Sequence, residues 1–347
     1  MATILGAESL SPQYNNSIDE VARGASEWLI ESPSSRAFFE RMLVNSHTVQ
    51  RRYIMPVNEI VSLGGDKSRG EIFEKVALQM GATVANRLLA AFPEEKASID
   101  HLIFISCSCP ILPTLDGPLI EQLQLSPRTR RIPIYQYGCA GGVAGLALAH
   151  QLCNNGGNVL LVSVELCSLV FRRNDLTPAN LVGSAIFADG ASAALITPSS
   201  PKGLRIVDTR TSVVPNTRHL LGYDVCDDGA HLRLHRELPE AIAQAAPQLV
   251  DDFLSSHSLT RKDVAHWVFH PGGQKILSTL TAEFCDIPAK ARFTAAVLEE
   301  LGNLSSSTVI FSLQRLMQSN ALRKGDKVVM LAVGPGVCIE QLLLEAL

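Results

Sequence analysis

The sequence predicts an α/β fold built from two similar halves, because segments of the first half recur in the second half. The apolar segment Ile99–Ser106 (IDHLIFIS) resembles Val264–Pro271 (VAHWVFHP), and the apolar strand-like segment Val159–Val164 is matched by Val328–Val333. The matches occur in the same order and at a nearly constant offset. Internal similarity of this kind is the sequence signature of a duplicated architecture.

A third repeated feature is a turn that opens a helix rich in small residues. Cys139 occupies this turn in the first half, and Asn303 occupies it in the second half, within LGNLSSSTVIFSLQRL. Each half is therefore predicted to contain a strand, a helix and a strand, related by a pseudo-twofold axis. The seam SSPKG divides the chain into residues 1–203 and 204–347.

The first 95 residues are predicted to be mainly helical. Amphipathic patterns indicate helices near Ile18–Ile30, Arg36–Val49 and Gly70–Phe92, the last of which stops before a proline. The continuous apolar run Leu102–Ser106 then predicts a strand that is buried on both faces.

Alternation and β-branching over Ile132–Tyr137 predict the strand that leads into the Cys139 turn. Asn158–Val164 is predicted to be another buried strand. Ser184–Thr197 is predicted to form a strand, a turn and a strand, with Asp189 in the turn because Asp-Gly favours tight turns.

Cys139 is a candidate nucleophile because of its place in the first turn of a helix. Unpaired backbone N–H groups and the positive end of the helix dipole favour a thiolate there. Gly138 permits an unusual backbone angle directly before it. The alternative is that Cys139 is an inert packing residue, as most free cysteines are.

His270 and Asn303 lie at a strand end and a helix start in the second half, where a rigid scaffold can direct side chains to a common point. An imidazole next to the thiol would stabilise the thiolate, and an amide adds a hydrogen-bond donor. A hydrogen-bonded structural histidine and a helix N-cap are the alternatives for these two residues.

Composition excludes several classes of function. A net charge of −4 gives no basic excess for general nucleic-acid binding. No signal peptide or apolar run of membrane-spanning length is found, so a cytoplasmic protein is expected. The eight cysteines form no paired CxxC motifs, so neither a zinc site nor a disulfide framework is indicated.

At these residues the sequence resembles the type III polyketide synthases, the chalcone-synthase-like branch of the thiolase-fold condensing enzymes. The resemblance covers about residues 36–345 in YQYGCAGG, IFADGASAAL, HPGGQKIL, LGNLSSSTVIFSL and GPGVCIEQ. It implies a thiolase-like αβαβα five-layered duplicated fold and a homodimer without a metal or redox cofactor. It also implies that Cys139 carries the acyl group while His270 and Asn303 serve malonyl decarboxylation.

The resemblance assigns further residues to the substrate cavity. Phe187 and Leu232 match two gatekeeper positions, and the second is usually phenylalanine. Cys107 takes a lining position where some bacterial naphthol-forming members carry cysteine. Leu112 falls where plant members lend a methionine to the neighbouring subunit's cavity. The terminal loop Gly334–Gly336, which includes Pro335, completes the site, and the changes predict an aliphatic cavity that favours an alkyl or polyketide chain.

The donor site of the family uses a basic cluster on an early helix. Arg41 keeps one of those charges, but Phe38 and Asn45 stand where plant members commonly have lysine. Each lost lysine removes a charge-assisted contact to coenzyme A. We therefore hypothesise that substrates arrive on coenzyme A or on the phosphopantetheine of an acyl carrier protein, which would dock on Arg41, Arg51 and Arg52.

The sequence thus predicts an acyltransferase that loads an acyl thioester, condenses it with malonyl units and closes a pyrone or resorcinol-type product. A stand-alone ketosynthase that joins two carrier-bound β-keto chains into an α-pyrone is the main alternative. An initiating ketoacyl synthase usually follows its histidine with a different, glutamine-containing run, whereas His270 in this chain is followed by the rest of the HPGG motif. A cysteine hydrolase or a non-catalytic binding module is disfavoured by the duplication and by the complete triad.

Overall fold

Thirteen strands occur in the computed structural model, which describes residues 2–347; nine of them, from both halves of the chain, join in one sheet, and the other four form two two-stranded sheets. The strands are β1 (Thr3–Leu10), β2 (Tyr14–Ser17), β3 (Gln50–Tyr53), β4 (Ile99–Ile105), β5 (Arg130–Ile134), β6 (Asn158–Leu166), β7 (Asp189–Thr197), β8 (Leu204–Val213), β9 (Leu221–Cys226), β10 (Gly229–Leu234), β11 (Val264–Phe269), β12 (Lys327–Gly334) and β13 (Cys338–Ala346).

Helices cover both faces of this sheet. They are α1 (Ile18–Trp28), α2 (Pro33–Asn45), α3 (Val57–Ser62), α4 (Asp66–Ala90), α5 (Pro93–Lys96), α6 (Asp116–Gln122), α7 (Gly141–Asn154), α8 (Pro178–Ile186), α9 (Leu238–Ser255), α10 (Gln274–Phe284), α11 (Arg292–Leu301) and α12 (Thr308–Gln318). Short 3₁₀ turns occur at Gly138–Ala140, Cys167–Val170, Arg261–Asp263, Pro288–Ala291 and Ser305–Ser307.

The strand order shows the duplication directly. It runs β5-β4-β6-β7-β1-β8-β13-β12-β11, with β4 parallel to β6 and β11 parallel to β12. In both halves the next two pairings are antiparallel, from β6 through β7 to β1 and from β12 through β13 to β8. The halves meet where β1 pairs with β8, and the proposed division at residue 203 falls just before β8. The predicted duplicated α/β fold is confirmed.

Alternation of side chains along the strands produces five layers. In β4, Ile103 and Ile105 belong to a central core with α7 and α12, whereas Leu102 and Phe104 belong to an outer core with α4 and α6. The outer face of the second half is covered by α9 and α10. Two outer helical layers, two halves of the sheet and the central pair α7 and α12 give the αβαβα arrangement that the resemblance implies.

The central helices bring Cys139 and Asn303 together. Both helices follow 3₁₀ turns, and α7 begins with glycines that allow close approach. A Cβ on Gly142 would lie 2.3 Å from the carbonyl oxygen of Ser306 and 2.5 Å from Val309. The two helix starts can therefore touch only because position 142 lacks a side chain.

The predicted elements agree with the structure except in a few places. The helices α1, α2 and α4 confirm the predicted amphipathic segments to within a few residues. However, the prediction of a mainly helical N-terminal region is wrong for β1, which lies at the centre of the sheet. A register shift between Ile4 and Gly6 interrupts its alternation. The strand before Cys139 is also shorter than predicted and ends at Ile134.

The predicted strand, turn and strand over residues 184–197 are wrong in their first part. Thr177 caps α8 by accepting a hydrogen bond from the Asn180 backbone N–H, and Pro178 occupies the first helical position, a common helix-start signal. The segment up to Ile186 is therefore helical. Asp189 is not in a turn: it begins β7 and is fully buried.

Among residues 2–347, no helix combines the length and the apolar character that crossing a membrane requires.

Candidate active site

Cys139 lies in the 3₁₀ turn that precedes α7. Gly138 has φ +52°, and a Cβ at this position would come within 2.8 Å of Pro335 Cδ. Glycine is therefore required both by the left-handed backbone and by the packed terminal loop. Cys139 Sγ lies 3.6 Å from Ser305 Oγ, at the start of the other central helix.

His270 directly follows β11, and its backbone N–H donates to the carbonyl of Leu331 at 2.8 Å. Its side chain is 2% exposed, and ring atom Nδ1 has no hydrogen-bond partner among the described residues. The residue lines a pocket, so its imidazole can contact a molecule bound there.

Asn303 is held in a fixed orientation by both ends of its side-chain amide. Its Nδ2 donates to the carbonyl of Gly272 at 3.0 Å, and its Oδ1 accepts from the Ser305 backbone N–H at 2.8 Å. An amide nitrogen has two N–H groups. One of them therefore remains for a ligand, and a simple N-cap role does not account for the bond to Gly272.

Cys139, His270 and Asn303 line one pocket, although no hydrogen bond joins Cys139 to His270 among residues 2–347. Burial raises the pKa of Cys139 to about 12 and lowers the pKa of His270 to about 4. A helix N-terminus contributes about 0.3–2 kcal/mol, which is at most about 1.5 pKa units. Burial therefore outweighs the helix dipole, and the thiolate expected from the helix start alone is not the resting form.

Two pockets meet at Cys139. The smaller pocket contains His270 and Asn303, and the larger one extends beneath α1, α2 and α3. The residues shared by both pockets are Cys139, Phe187, Leu221 and Leu232. We call these four residues the neck. The larger pocket is mainly apolar and contains Val21, Ala25, Trp28, Phe39, Val57 and Ile60.

The remaining predicted cavity residues have different locations. Cys107 and Pro335 line the larger pocket, whereas Gly334 and Gly336 are not among the lining residues of either pocket. Leu112 is 92% exposed and lines neither pocket of its own chain. Its expected place is the cavity of a neighbouring subunit.

The expected docking role of Arg51 is wrong. Its side chain is fully buried, so it cannot contact the surface of a carrier protein. Arg41 is exposed and lies 5.4 Å from the ring centre of Phe38, and Arg52 is partly exposed. Alternation in β3 explains the difference, because neighbouring residues of a strand point to opposite faces.

A buried polar network that the sequence alone does not reveal lies beside the nucleophile. Ser305 Oγ lies 3.3 Å from Cys107 Sγ as well as 3.6 Å from Cys139 Sγ. Glu165, on β6, accepts hydrogen bonds from the Cys107 backbone N–H and from the hydroxyl of Ser306. Burial raises the pKa of Glu165. The serine run after Asn303 was a visible signal, but its partners are distant in sequence.

The sequence alone does not single out Tyr223 either. It faces Leu232 across the β9–β10 hairpin and lines the larger pocket. Its phenol adds to the polar groups of this lining, which also come from Tyr53, Ser108, Ser168, Asn180, Ser184 and Ser305.

The sequence matches two family descriptions that together span most of the chain. Residues 30–201 match "Chalcone and stilbene synthases, N-terminal domain", and residues 205–347 match "Chalcone and stilbene synthases, C-terminal domain".

Individual relatives agree with this match. The chain is 30% identical over 303 residues to a 1,3,6,8-tetrahydroxynaphthalene synthase of Streptomyces griseus. This alignment covers 86% of this chain and 81% of the relative. It is 30% identical over 310 residues to a phloroglucinol synthase of Pseudomonas fluorescens, covering 88% of each.

The fold is likewise that of a solved family member. The crystal structure of 1,3,6,8-tetrahydroxynaphthalene synthase from Streptomyces coelicolor, a bacterial type III polyketide synthase, superposes with a TM-score of 0.94 at 27% identity, covering 99% of both chains. The chain therefore belongs to the chalcone and stilbene synthase family and is a condensing enzyme of the type III polyketide synthase class.

Proposed function

We propose that this enzyme loads an acyl thioester on Cys139, extends it with malonyl units by decarboxylative condensation, and releases a cyclised product. The convergence of Cys139, His270 and Asn303 on one pocket carries the proposal. The neck places the nucleophile between a compartment that holds the decarboxylating groups and an apolar compartment that can hold the growing chain.

Loading begins with transfer of the Cys139 proton to the neutral imidazole of His270. The resulting thiolate attacks the thioester carbonyl, and its charge is stabilised by the imidazolium. Backbone N–H groups near Cys139 stabilise the oxyanion of the tetrahedral intermediate. A C–S bond forms at Cys139, the C–S bond of the donor breaks, and the leaving sulfur takes the proton from the imidazolium, which releases the donor thiol and restores neutral His270.

Extension requires decarboxylation of a malonyl thioester. Its C–C bond to the carboxylate breaks, carbon dioxide leaves, and the electron pair becomes an enolate. The free N–H of Asn303 and a ring N–H of His270 donate to the enolate oxygen. The enolate carbon then attacks the acyl carbonyl, and the thiolate of Cys139 leaves.

For the product we propose a pyrone or resorcinol-type ring made from an alkyl or polyketide chain, because the larger pocket is mainly apolar. A second candidate is a tetrahydroxynaphthalene. It is favoured by the names of the relatives from Streptomyces and by Cys107 in the cavity lining. The α-pyrone ketosynthase alternative receives no support from these relatives, and carbon dioxide release separates it from the proposal.

The acyl donor remains coenzyme A or an acyl carrier protein in this proposal. Arg41 and Arg52 are the residues of the predicted cluster that solvent can reach. A homodimer is also proposed, with the exposed Leu112 available to a second subunit. Faster turnover of malonyl-coenzyme A than of carrier-bound malonyl units would remove the carrier protein from the proposal.

The decisive experiment is intact-protein mass spectrometry after incubation with a panel of acyl-coenzyme A and acyl-carrier thioesters, followed by product analysis with malonyl units. We expect an acyl adduct on Cys139 in the wild type and none in Cys139→Ala. Pyrone or resorcinol-type products that incorporate the acyl starter support the leading candidate, whereas a tetrahydroxynaphthalene product supports the second. Full product formation by Cys139→Ala would overturn the proposed function.

A further inference from the structure

The strand β3 holds the backbone that carries Phe187. The guanidinium of Arg51 donates to the carbonyl of Ala185, in the last turn of α8. Two residues further along the same face, Tyr53 Oη donates to the carbonyl of Phe187 at 3.4 Å. Alternate residues of β3 therefore contact alternate residues of the segment that leads to the neck.

The same segment is bonded on its other side by Asn303. On the side that faces β3, the backbone N–H of Ile54 also donates to Asp189 Oδ2 at 2.9 Å. On the opposite side, Asn303 N–H donates to Ile186 O, and Ala188 N–H donates to Asn303 O, each at 2.9 Å. Residues 185–189 thus lie between β3 and Asn303. We call them the gate segment.

The chemistry of Arg51 suits this position. Its guanidinium donates to the carbonyls of Ala185 and Gln50 and to the hydroxyl of Ser46 at 3.1 Å, and it forms no ion pair among residues 2–347. Carbonyls at the C-terminal end of α8 carry the negative end of the helix dipole, which stabilises a nearby cation. The planar guanidinium of arginine can donate to several such oxygens at once, whereas the ammonium group of lysine cannot do so in the same geometry.

Packing leaves this arrangement little freedom. Gly302, which precedes Asn303, has φ +84°. A Cβ at this position would lie 2.9 Å from Ile186 O and 3.3 Å from Arg51 Nε. The guanidinium, the gate segment and the turn before Asn303 are therefore in direct contact. Arg51 is thus linked by contacts or hydrogen bonds to the segment that carries Phe187 and to the turn that carries Asn303.

We propose that Arg51 and Tyr53 are positioning residues, which hold Phe187 at the neck and Asn303 in the orientation needed for malonyl decarboxylation. Neither residue contacts the reacting atoms. The catalytic consequence rests on the proposed function, but the structural coupling between β3, the gate segment and Asn303 does not.

The first test compares Arg51→Lys with Arg69→Lys. Arg69 is a matched control, since it is also a buried arginine that donates to main-chain carbonyls, those of Gly64 and Leu169, and it makes no hydrogen bond to the gate segment. We expect Arg51→Lys to lower kcat for malonyl-coenzyme A decarboxylation about tenfold, with KM changed less than about twofold. Arg69→Lys is expected to lower Tm without this change in kcat per folded molecule.

Hydrogen exchange measured by mass spectrometry tests the coupling without substrate. Arg51→Lys is expected to increase deuterium uptake in peptides that contain residues 186–188 and 303–305, and Arg69→Lys is not. Tyr53→Phe removes only a hydroxyl and is expected to produce the same change to a smaller extent. Tyr14→Phe, on the neighbouring strand β2, is its control.

The outcomes separate the two proposals. If the wild type does not decarboxylate malonyl thioesters, the proposed function fails, while hydrogen exchange still decides the coupling. Unchanged exchange of both peptides in Arg51→Lys and Tyr53→Phe overturns the positioning role. If the wild type is active and Arg51→Lys has the same kcat per folded molecule and the same KM, Arg51 does not influence malonyl decarboxylation and the catalytic part of the proposal is overturned.

Discussion

Phe187 and Asn303 form a parallel bridge, in which the residues on either side of Phe187 exchange backbone hydrogen bonds with Asn303. A residue at the neck between two pockets and a proposed donor to the enolate are therefore joined through the main chain. Changes at one of them are expected to affect the other.

Asn303→Asp should separate loading from extension. Aspartate keeps the oxygen that accepts from the Ser305 N–H but loses the N–H groups that the enolate requires. We expect malonyl decarboxylation to fall by about 100-fold or more, the typical cost of losing one oxyanion donor. Acyl loading of Cys139, followed by intact mass, should change less than about threefold on the same reasoning. Equal loss of both steps would contradict the assigned role.

His270→Ala should suppress the reactivity of Cys139. Burial raises the pKa of this thiol to about 12 and lowers that of His270 to about 4, so at pH 7 the thiol is protonated and the imidazole is neutral. Because neutral His270 is the proposed acceptor of the thiol proton, its removal should slow alkylation by iodoacetamide at pH 7 by about 100-fold, a typical contribution of a general base. Peptide mass spectrometry would measure the rate at Cys139, with the exposed Cys226 as an internal reference. An unchanged rate would show that His270 does not control the thiol.

Gly183→Ala should change the neck without unfolding the protein. A Cβ at this position would lie 2.7 Å from Leu232 Cδ2 and 3.4 Å from the Phe187 ring. The end of a leucine side chain can move, so Leu232 is expected to shift and to reduce extension about tenfold. Gly70→Ala, in α4, is the control because its Cβ meets open space. It should raise Tm and leave the products unchanged. Identical product profiles for both variants would contradict the assignment of the neck.

Asp189→Asn should change how stability depends on pH. Burial raises the pKa of Asp189 from 3.8 to about 6, so the folded protein binds this proton more readily than the unfolded chain. The resulting stabilisation is fully present below pH 3.8 and is lost as the pH rises through about 6. Across this range the wild type should lose about 3 kcal/mol of unfolding free energy relative to Asp189→Asn. Urea unfolding at several pH values would measure the difference.

Asp116 provides a control of opposite sign. Burial raises its pKa, but hydrogen bonds from Arg131 and Thr114 outweigh burial and lower it. Its stabilisation is present above pH 3.8 and lost as the pH falls. Asp116→Asn should therefore remove stability at neutral pH. Parallel curves for the wild type and Asp189→Asn between pH 4 and 6 would contradict the prediction for Asp189.

The sequence was most informative where the duplication applied. Cys139 and Asn303 occupy corresponding turns, and the repeat in the sequence identifies both. The position of β1 could not be derived in this way, because its strand pattern is interrupted at Gly6 and its partners are distant in sequence.

The least predictable side chains are those whose burial and hydrogen-bond partners come from elements distant in the sequence. Arg51 and Arg52 are identical neighbours, and only the alternation of β3 distinguishes the buried one from the partly exposed one. The short strand QRRY has too little pattern to be recognised alone. Glu165 looked like part of an ordinary buried strand, because its hydrogen-bond partners Cys107 and Ser306 lie on other elements.

The central position of β1 also has a consequence for biosynthesis. Thr3 pairs with Thr197 on one side and with Arg205 on the other, so β1 finds its partners only after about two hundred further residues have been translated. Until then both edges of β1 lack their native partners, and unpaired edges are sites for mispairing with other chains. Ribosome-bound intermediates that lack β7 and β8 are expected to depend on chaperones that cover β1.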